Sequence, residues 1–371
     1  MKKVLFIGIL FLGIHCFGQI YDSISVNGIN RTYVYFTPSG WNLNQELPLL
    51  IVLHGLTQTG FGIMQITNFN QLAEENNFIV CYPDGINNSF NANMNVTVST
   101  ADDKAMLEGI FQHFEQNFAT DTERRYLCGF STGGFMCHKM ACESDLCLAG
   151  IATVSGNMSD TVYANCIDPN LTSVLHIHGT GDPVVAYNGS PTTGVSVEAT
   201  IEKWRTYLGC LSSPAITTMP DVNLFDFSYP ELHSYSSCGN YELELIKIIG
   251  GGHQWPGIPT LVGGLGNINM DFYSPEVIWN FLADKVCQSA DLSSNQKQVV
   301  VIYPNPSTDW IYIEDHNSQF INIQIFDTQG RLLIDSNNYT IYVGDLKDGI
   351  YQIVMRTKDK RIKKTFVKCS Y

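Results

Sequence analysis

The chain has 371 residues, 44% of them hydrophobic and 15% charged, with a net charge of −14 and 11 cysteines. That length supports one large domain and one small one, each with its own core. Residues 20–296 carry 9 basic and 27 acidic side chains, against 10 and 8 in residues 297–371, so the larger part repels nucleic acid and suits uncharged polymers.

Lys2 and Lys3, an apolar run over 4–14, and small or polar residues ending near Gly18 and Gln19 read as a secretory signal at 1–19. His15 stands where a small residue would precede a lipidated Cys16, so lipidation is not expected. That run is too short to anchor in a bilayer and no later segment reaches the ~20 apolar residues a span requires, so no integral membrane segment is expected. Ten cysteines remain for an oxidising compartment, where some should pair. None forms Cys-x-x-Cys, which argues against a zinc ribbon or a thioredoxin-type site.

Residues 20–287 are expected to form an α/β domain. Asn27-Gly28 accepts positive φ and joins strands at 23–26 and 31–37 in a hairpin. The run 49–53 is apolar without alternation, as a parallel strand buried on both faces requires, and 78–82, 126–130, 151–154 and 174–177 repeat that character. Leu107, Ile110, Phe111 and Phe114 recur at helical spacing, as do Val197, Ile201, Trp204 and Leu208. Alternating strands and helices predict a mostly parallel sheet with helices on both faces. An alternating strand is expected at 241–245. A last helix should start at Ser274-Pro275-Glu276, with Ser274 as the capping hydroxyl. Polar residues 288–298 read as a linker, and short strands at 299–303, 321–326 and 350–355 predict a small all-β sandwich over 299–371.

The chemistry centres on Gly129-Phe130-Ser131-Thr132-Gly133, which follows a strand and opens a helix. Ser131 would sit in a sharp turn with its hydroxyl raised above the sheet. A serine nucleophile needs a base, and the base needs a carboxylate; in this setting the chain order is serine, acid, histidine. Asp182, in the loop after strand 174–177, is the predicted acid, and His253, approached through Gly250-Gly251-Gly252, the predicted base. Asp102 and Asp103 precede Ser131 at a helix start, where carboxylates suit the dipole. His176 and His178 share a strand face with no third ligand spaced to join them, so structural roles and no metal are expected. The amides of Thr132 and Leu56 are the expected oxyanion donors, with His54 shaping the Leu56 loop. Trp255, Tyr187 and the loop 87–97 are candidates for substrate contact, since an indole beside the base could cover an aromatic acyl group; packing roles for both rings and a mobile surface for the loop are the alternatives.

His54-Gly55, Gly129 to Gly134, Ala141-Cys142-Glu143, His178-Gly179-Thr180-Gly181-Asp182-Pro183 and Gly251-Gly252-His253-Gln254-Trp255-Pro256-Gly257 together resemble secreted feruloyl esterases and polyhydroxybutyrate depolymerase-like esterases, over about residues 24–286. The resemblance implies an α/β-hydrolase fold and a serine carboxylic-ester hydrolase acting through an acyl-enzyme, with no cofactor. Its partner would be an ester-bearing polymer or its fragments: feruloyl or acetyl groups on plant polysaccharide first, an extracellular polyester second. It further implies that Cys210 pairs with Cys238 and Cys142 with Cys166. Leu56 departs from the cysteine or small residue common there, which a backbone donor tolerates. A peptidase of the same fold and a non-catalytic glycan-binding protein are the readings from other classes; the order Ser131, Asp182, His253 weighs against the second.

The tail motifs Tyr303-Pro304-Asn305-Pro306-Ser307, Ile325-Phe326-Asp327-Thr328-Gln329-Gly330-Arg331, Leu346-Lys347-Asp348-Gly349-Ile350-Tyr351 and Lys363-Lys364 resemble the C-terminal sorting domain of the type IX secretion system, over about 299–368. This implies the type IX machinery as a partner and a secreted or outer-membrane-surface location.

Overall fold

The computed structural model describes residues 19–287 other than 43, 96–97, 168, 212 and 260–264, and residues 301–369 other than 315–321, 328–330 and 357–360. The signal expected at 1–19, apart from Gln19, and the linker expected at 288–298 lie outside the described residues. The chain divides into two units, Met1–Ser289 and Ala290–Tyr371.

Strand patterning sets the layers of the first unit. β1 (Ile20–Val26) and β2 (Ile29–Phe36) form the expected hairpin, with Asn27 and Gly28 at φ 51° and 79°. β3 (Leu47–Leu53), β4 (Ile79–Pro83), β5 (Thr120–Phe130), β6 (Gly150–Val154), β7 (Ser173–Gly179), β8 (Ala215–Thr218), β9 (Tyr229–Tyr235) and β10 (Leu243–Ile249) complete a ten-stranded sheet in the order β1-β2-β4-β3-β5-β6-β7-β10-β9-β8. The six central strands from β4 to β10 run parallel, and the flanking pairs are antiparallel. β10 starts two residues later and ends four later than the alternation at 241–245 indicated, because Ile246, Ile248 and Lys247 continue the pairing with β7.

The helices are α1 (Gly60–Thr67), α2 (Phe69–Asn76), α3 (Asp103–Asn117), α4 (Thr132–Glu143), α5 (Asp160–Asn165), α6 (Val197–Leu208) and α7 (Ser274–Leu282). Successive side chains of a strand point to opposite faces. Leu49, Ile51 and Leu53 of β3 therefore pack with α3, α4 and α6, whereas Leu50 and Val52 pack with α1, α2 and α7. That two-sided burial is why the strands read as unbroken apolar runs. Ser274 does not cap α7: Tyr273 holds the cap position, and the Ser274 hydroxyl donates instead to the Pro256 carbonyl at 2.7 Å, inside the helix start.

The second unit carries a three-stranded sheet, β11 (Val301–Tyr303), β12 (Trp310–Glu314) and β15 (Thr340–Tyr342), and a four-stranded one, β14 (Leu332–Ser336), β13 (Asn322–Phe326), β16 (Gly349–Arg356) and β17 (Arg361–Lys368). Ile311, Ile313, Ile323, Ile325, Ile353 and Phe366 build its core, a small β domain of the kind the tail sequence predicts.

Candidate active site

The turn between β5 and α4 is forced by close backbone approach. A Cβ on Gly129 would lie 2.3 Å from the Gly133 backbone, and one on Gly133 would lie 2.5 Å from the Leu53 oxygen. Only glycine fits at either place. Between them Ser131 has φ 52° and ψ −119°, a strained conformation for an L residue, and its amide donates to Val154 O at 2.9 Å. The strain projects the side chain above the C-terminal edge of the sheet.

Two further loops meet at that edge. Asp182 follows β7; its Oδ1 accepts from the Val184 and Val185 amides at 2.8 and 2.7 Å, and its Oδ2 faces His253 Nδ1 at 2.8 Å. His253 follows β10 and is fixed by its own amide, which donates to Leu265 O at 2.6 Å, and by the Phe130 ring at 4.8 Å between centroids. The Asp182 and His253 loops touch through glycine: Gly181 N donates to Gly251 O, and a Cβ on Gly179 would lie 2.2 Å from that oxygen. The pair is buried, with Asp182 6% and His253 4% exposed.

Ser131 and His253 open into one cavity of about 520 Å³. Phe90, Ala92, Met94 and Val98 form one apolar wall; Leu56, Val184, Val185 and Leu265 line the rest, with Gln58, Asn91, Thr192 and Thr193 as polar points. Thr132 and Leu56 border it too. Gly55 N donates to Gln58 Oε1 and Thr57 N to Asn88 O, but the amides of Leu56 and Thr132 meet no acceptor among the described residues. Both residues line the cavity that Ser131 opens into, and N–H groups without an acceptor suit an oxyanion.

Residues 43–206 match the family model described as Phospholipase/Carboxylesterase, and residues 301–369 match the Secretion system C-terminal sorting domain. That first match spans under half of the chain, so the first unit is similar to carboxylesterases over residues 43–206, and its mostly parallel sheet between helices is an α/β-hydrolase fold. The second unit is similar to a secretion sorting domain over nearly all of its described residues. Among relatives, the bifunctional acetylxylan esterase/xylanase of Neocallimastix patriciarum is 26% identical over 236 residues, which is 61% of this chain but 31% of that protein. The probable feruloyl esterase C of Aspergillus oryzae is 27% identical over 199 residues, 50% of this chain and 68% of the relative. The solved acetyl xylan esterase from Aspergillus awamori is 16% identical at a TM-score of 0.49, covering 63% of this chain and 94% of that one.

The two ring candidates for substrate contact are not among the residues that line the cavity at Ser131. Trp255 is 1% exposed and stacks on Phe130 at 5.9 Å within the core under α7. Tyr187 meets His178 edge-on at 5.8 Å, with Lys247 over its ring. Adjacency to the base in sequence did not carry over, because both rings turn into packing. The loop 87–97, by contrast, reaches the cavity through Ser89, Phe90, Asn91, Ala92 and Met94. Sequence reasoning missed Gln58, Val184, Val185, Thr192, Thr193 and Leu265; their only signal was nearness to His54, Asp182 or His253. Among the described residues no group of His, Cys, Asp and Glu could hold a metal ion. Disulfides join Cys142–Cys166 and Cys210–Cys238, and a third joins Cys147–Cys287.

Proposed function

We propose that the esterase unit hydrolyses carboxylic esters through an acyl-enzyme on Ser131. His253 takes the serine proton as Ser131 Oγ bonds to the carbonyl carbon, and Asp182 holds the imidazole and stabilises the imidazolium. The Leu56 and Thr132 amides hold the oxyanion. Collapse breaks the ester C–O bond, the His253 proton passes to the leaving alcohol, and water then releases the acid by the same route reversed. The observation that carries this reading is His253, held by Asp182 at 2.8 Å, opening with strained Ser131 into one cavity. Ser131→Ala should abolish hydrolysis of p-nitrophenyl acetate in a folded protein; retained turnover would remove the assignment.

For substrate we propose aromatic acyl groups, feruloyl above all, on plant polysaccharide. Supporting this, relatives bear the names acetylxylan esterase and feruloyl esterase, and the cavity exceeds what an acetyl group would fill. The acidic surface favours a neutral polymer over anionic partners. The tail domain would engage the type IX secretion machinery for delivery outside the cell. Ferulate release from feruloylated arabinoxylan, set against acetate release from acetylxylan and 3-hydroxybutyrate from its polyester, is the deciding comparison. Dominant release of either other acid overturns the aromatic assignment.

A further inference from the structure

Behind Asp182 the esterase unit buries two histidines that the steps above do not use. Strand register places Thr153 of β6 beside His176 of β7. Thr153 Oγ1 lies 2.8 Å from His176 Nδ1, His176 Nε2 lies 3.2 Å from His178 Nδ1, and His178 Nε2 lies 2.8 Å from Val185 O. The imidazoles are within 4° of parallel and at most 1% exposed.

The polarity of this row follows from its last member. A carbonyl only accepts, so His178 Nε2 donates; a neutral His178 then accepts at Nδ1, His176 donates from Nε2 and accepts at Nδ1, and the Thr153 hydroxyl donates. Burial lowers the pKa of both rings, favouring neutrality. The ionisable groups acting on them are Asp182, His253 and Glu198 at His178, and His138 and His178 at His176.

We propose that His178, oriented by this row, is a positioning residue for the catalytic acid. Its Nε2–H holds the Val185 carbonyl, while the Val184 and Val185 amides hold Asp182 Oδ1, so one imidazole fixes the turn that carries the carboxylate. The same Nε2 lies 3.5 Å from Asp182 Oδ2, the oxygen that His253 occupies. As a neutral dipole it steadies that oxygen without adding a positive charge, so the carboxylate remains available to the imidazolium forming on His253. This inference rests on reading Asp182 and His253 as acid and base.

The test is p-nitrophenyl acetate kinetics of the full chain across pH for His178→Leu, His178→Gln and Thr153→Val, with Ser131→Ala alongside. His178→Leu should lower kcat about tenfold to a hundredfold with little change in KM. It should also move the acid limb of kcat/KM to lower pH, because a loosened Asp182 stabilises the imidazolium less. His178→Gln, whose amide N–H can reach Val185 O, should recover most of both. Thr153→Val leaves His176 Nδ1 without its donor and should shift both the same way by less; it carries the test if His178→Leu does not fold. A folded His178→Leu or Thr153→Val with wild-type kcat and pH limb overturns the proposal, as does a loss that Gln fails to rescue. An active Ser131→Ala would instead sink the underlying triad, whereas an inert Ser131→Ala beside an unchanged His178→Leu overturns this inference alone.

Discussion

His54 Nδ1 holds the Gly55 carbonyl at 2.7 Å while its Nε2 accepts from the Gly85 amide at 2.9 Å. The ring is therefore neutral and Nδ1-protonated, in keeping with a pKa lowered by burial. In a trans peptide the carbonyl of Gly55 and the N–H of Leu56 point oppositely in one plane, so gripping the first aims the second.

His54→Ala should leave the Leu56 amide misaimed. Loss of an oxyanion donor costs about 10²–10³ in kcat, which bounds the effect; a fall of about tenfold or more with KM nearly unchanged is expected. His54→Asn, whose amide nitrogen can approach the Gly55 oxygen, should recover part of it. Steady-state kinetics showing a change in KM alone would refute the link.

One cavity wall is held by a buried charge network. Lys139 of α4 donates from Nζ to Asn91 O at 2.8 Å and to Asn93 Oδ1 at 3.2 Å, and Asn91 N donates to Asp103 Oδ2 at 2.6 Å. Asp103 is itself paired with buried Arg31. Lys139→Met keeps the stem and drops the ammonium, leaving those oxygens unpaired at a cost of about 1–3 kcal/mol. KM for a methyl ferulate substrate should rise several-fold while that for p-nitrophenyl acetate changes less. Equal changes for both esters would show that the network does not shape the acyl wall.

The elements whose burial pattern is local were legible in the sequence. The apolar runs announced the parallel strands, and Gly129 and Gly133 announced a turn that tolerates no side chain. Ser131, Asp182 and His253 could be placed because each sits at the end of a strand, where this topology puts its loops. Beyond the loop 87–97 the cavity lining was not legible: Gln58, Val184, Thr193 and Leu265 meet only through the tertiary paths of three loops. Trp255 misled because its position two residues beyond His253 says nothing about which side of the loop its ring enters. His178 was visible as half of a strand-face pair, but its bond to Val185 depends on the path of the acid turn. The partner of Cys147 depended likewise on where the chain returns after α7.

Stability should fall on acidification through buried histidine. His138 accepts from Trp204 Nε1 at 3.1 Å, and burial pushes its pKa down to about 3. The unfolded chain takes up that proton near the ordinary histidine value of about 6.5, whereas the folded protein refuses it until near 3. The unfolded state thus binds more protons across that window, and stability drops by up to about 1.4 kcal/mol per pH unit for this one site. His138→Gln removes the site and should flatten the fall of Tm between pH 6.5 and 4. Parallel Tm curves for the two proteins would refute it.

The bond between Cys147 and Cys287 closes 140 residues, against 28 for Cys210–Cys238. It ties the chain after α7 to the segment after α4, and Cys287 N also donates to Glu123 O at 2.7 Å. Neither cysteine lines the cavity at Ser131. Restricting the unfolded chain stabilises more for longer loops, about 2–4 kcal/mol in typical cases. Cys147→Ser with Cys287→Ser should therefore lower the denaturant midpoint more than Cys210→Ser with Cys238→Ser, while kcat at 25 °C stays near wild type. A smaller loss for the longer loop would show that local packing around each bond, rather than chain restriction, sets its contribution.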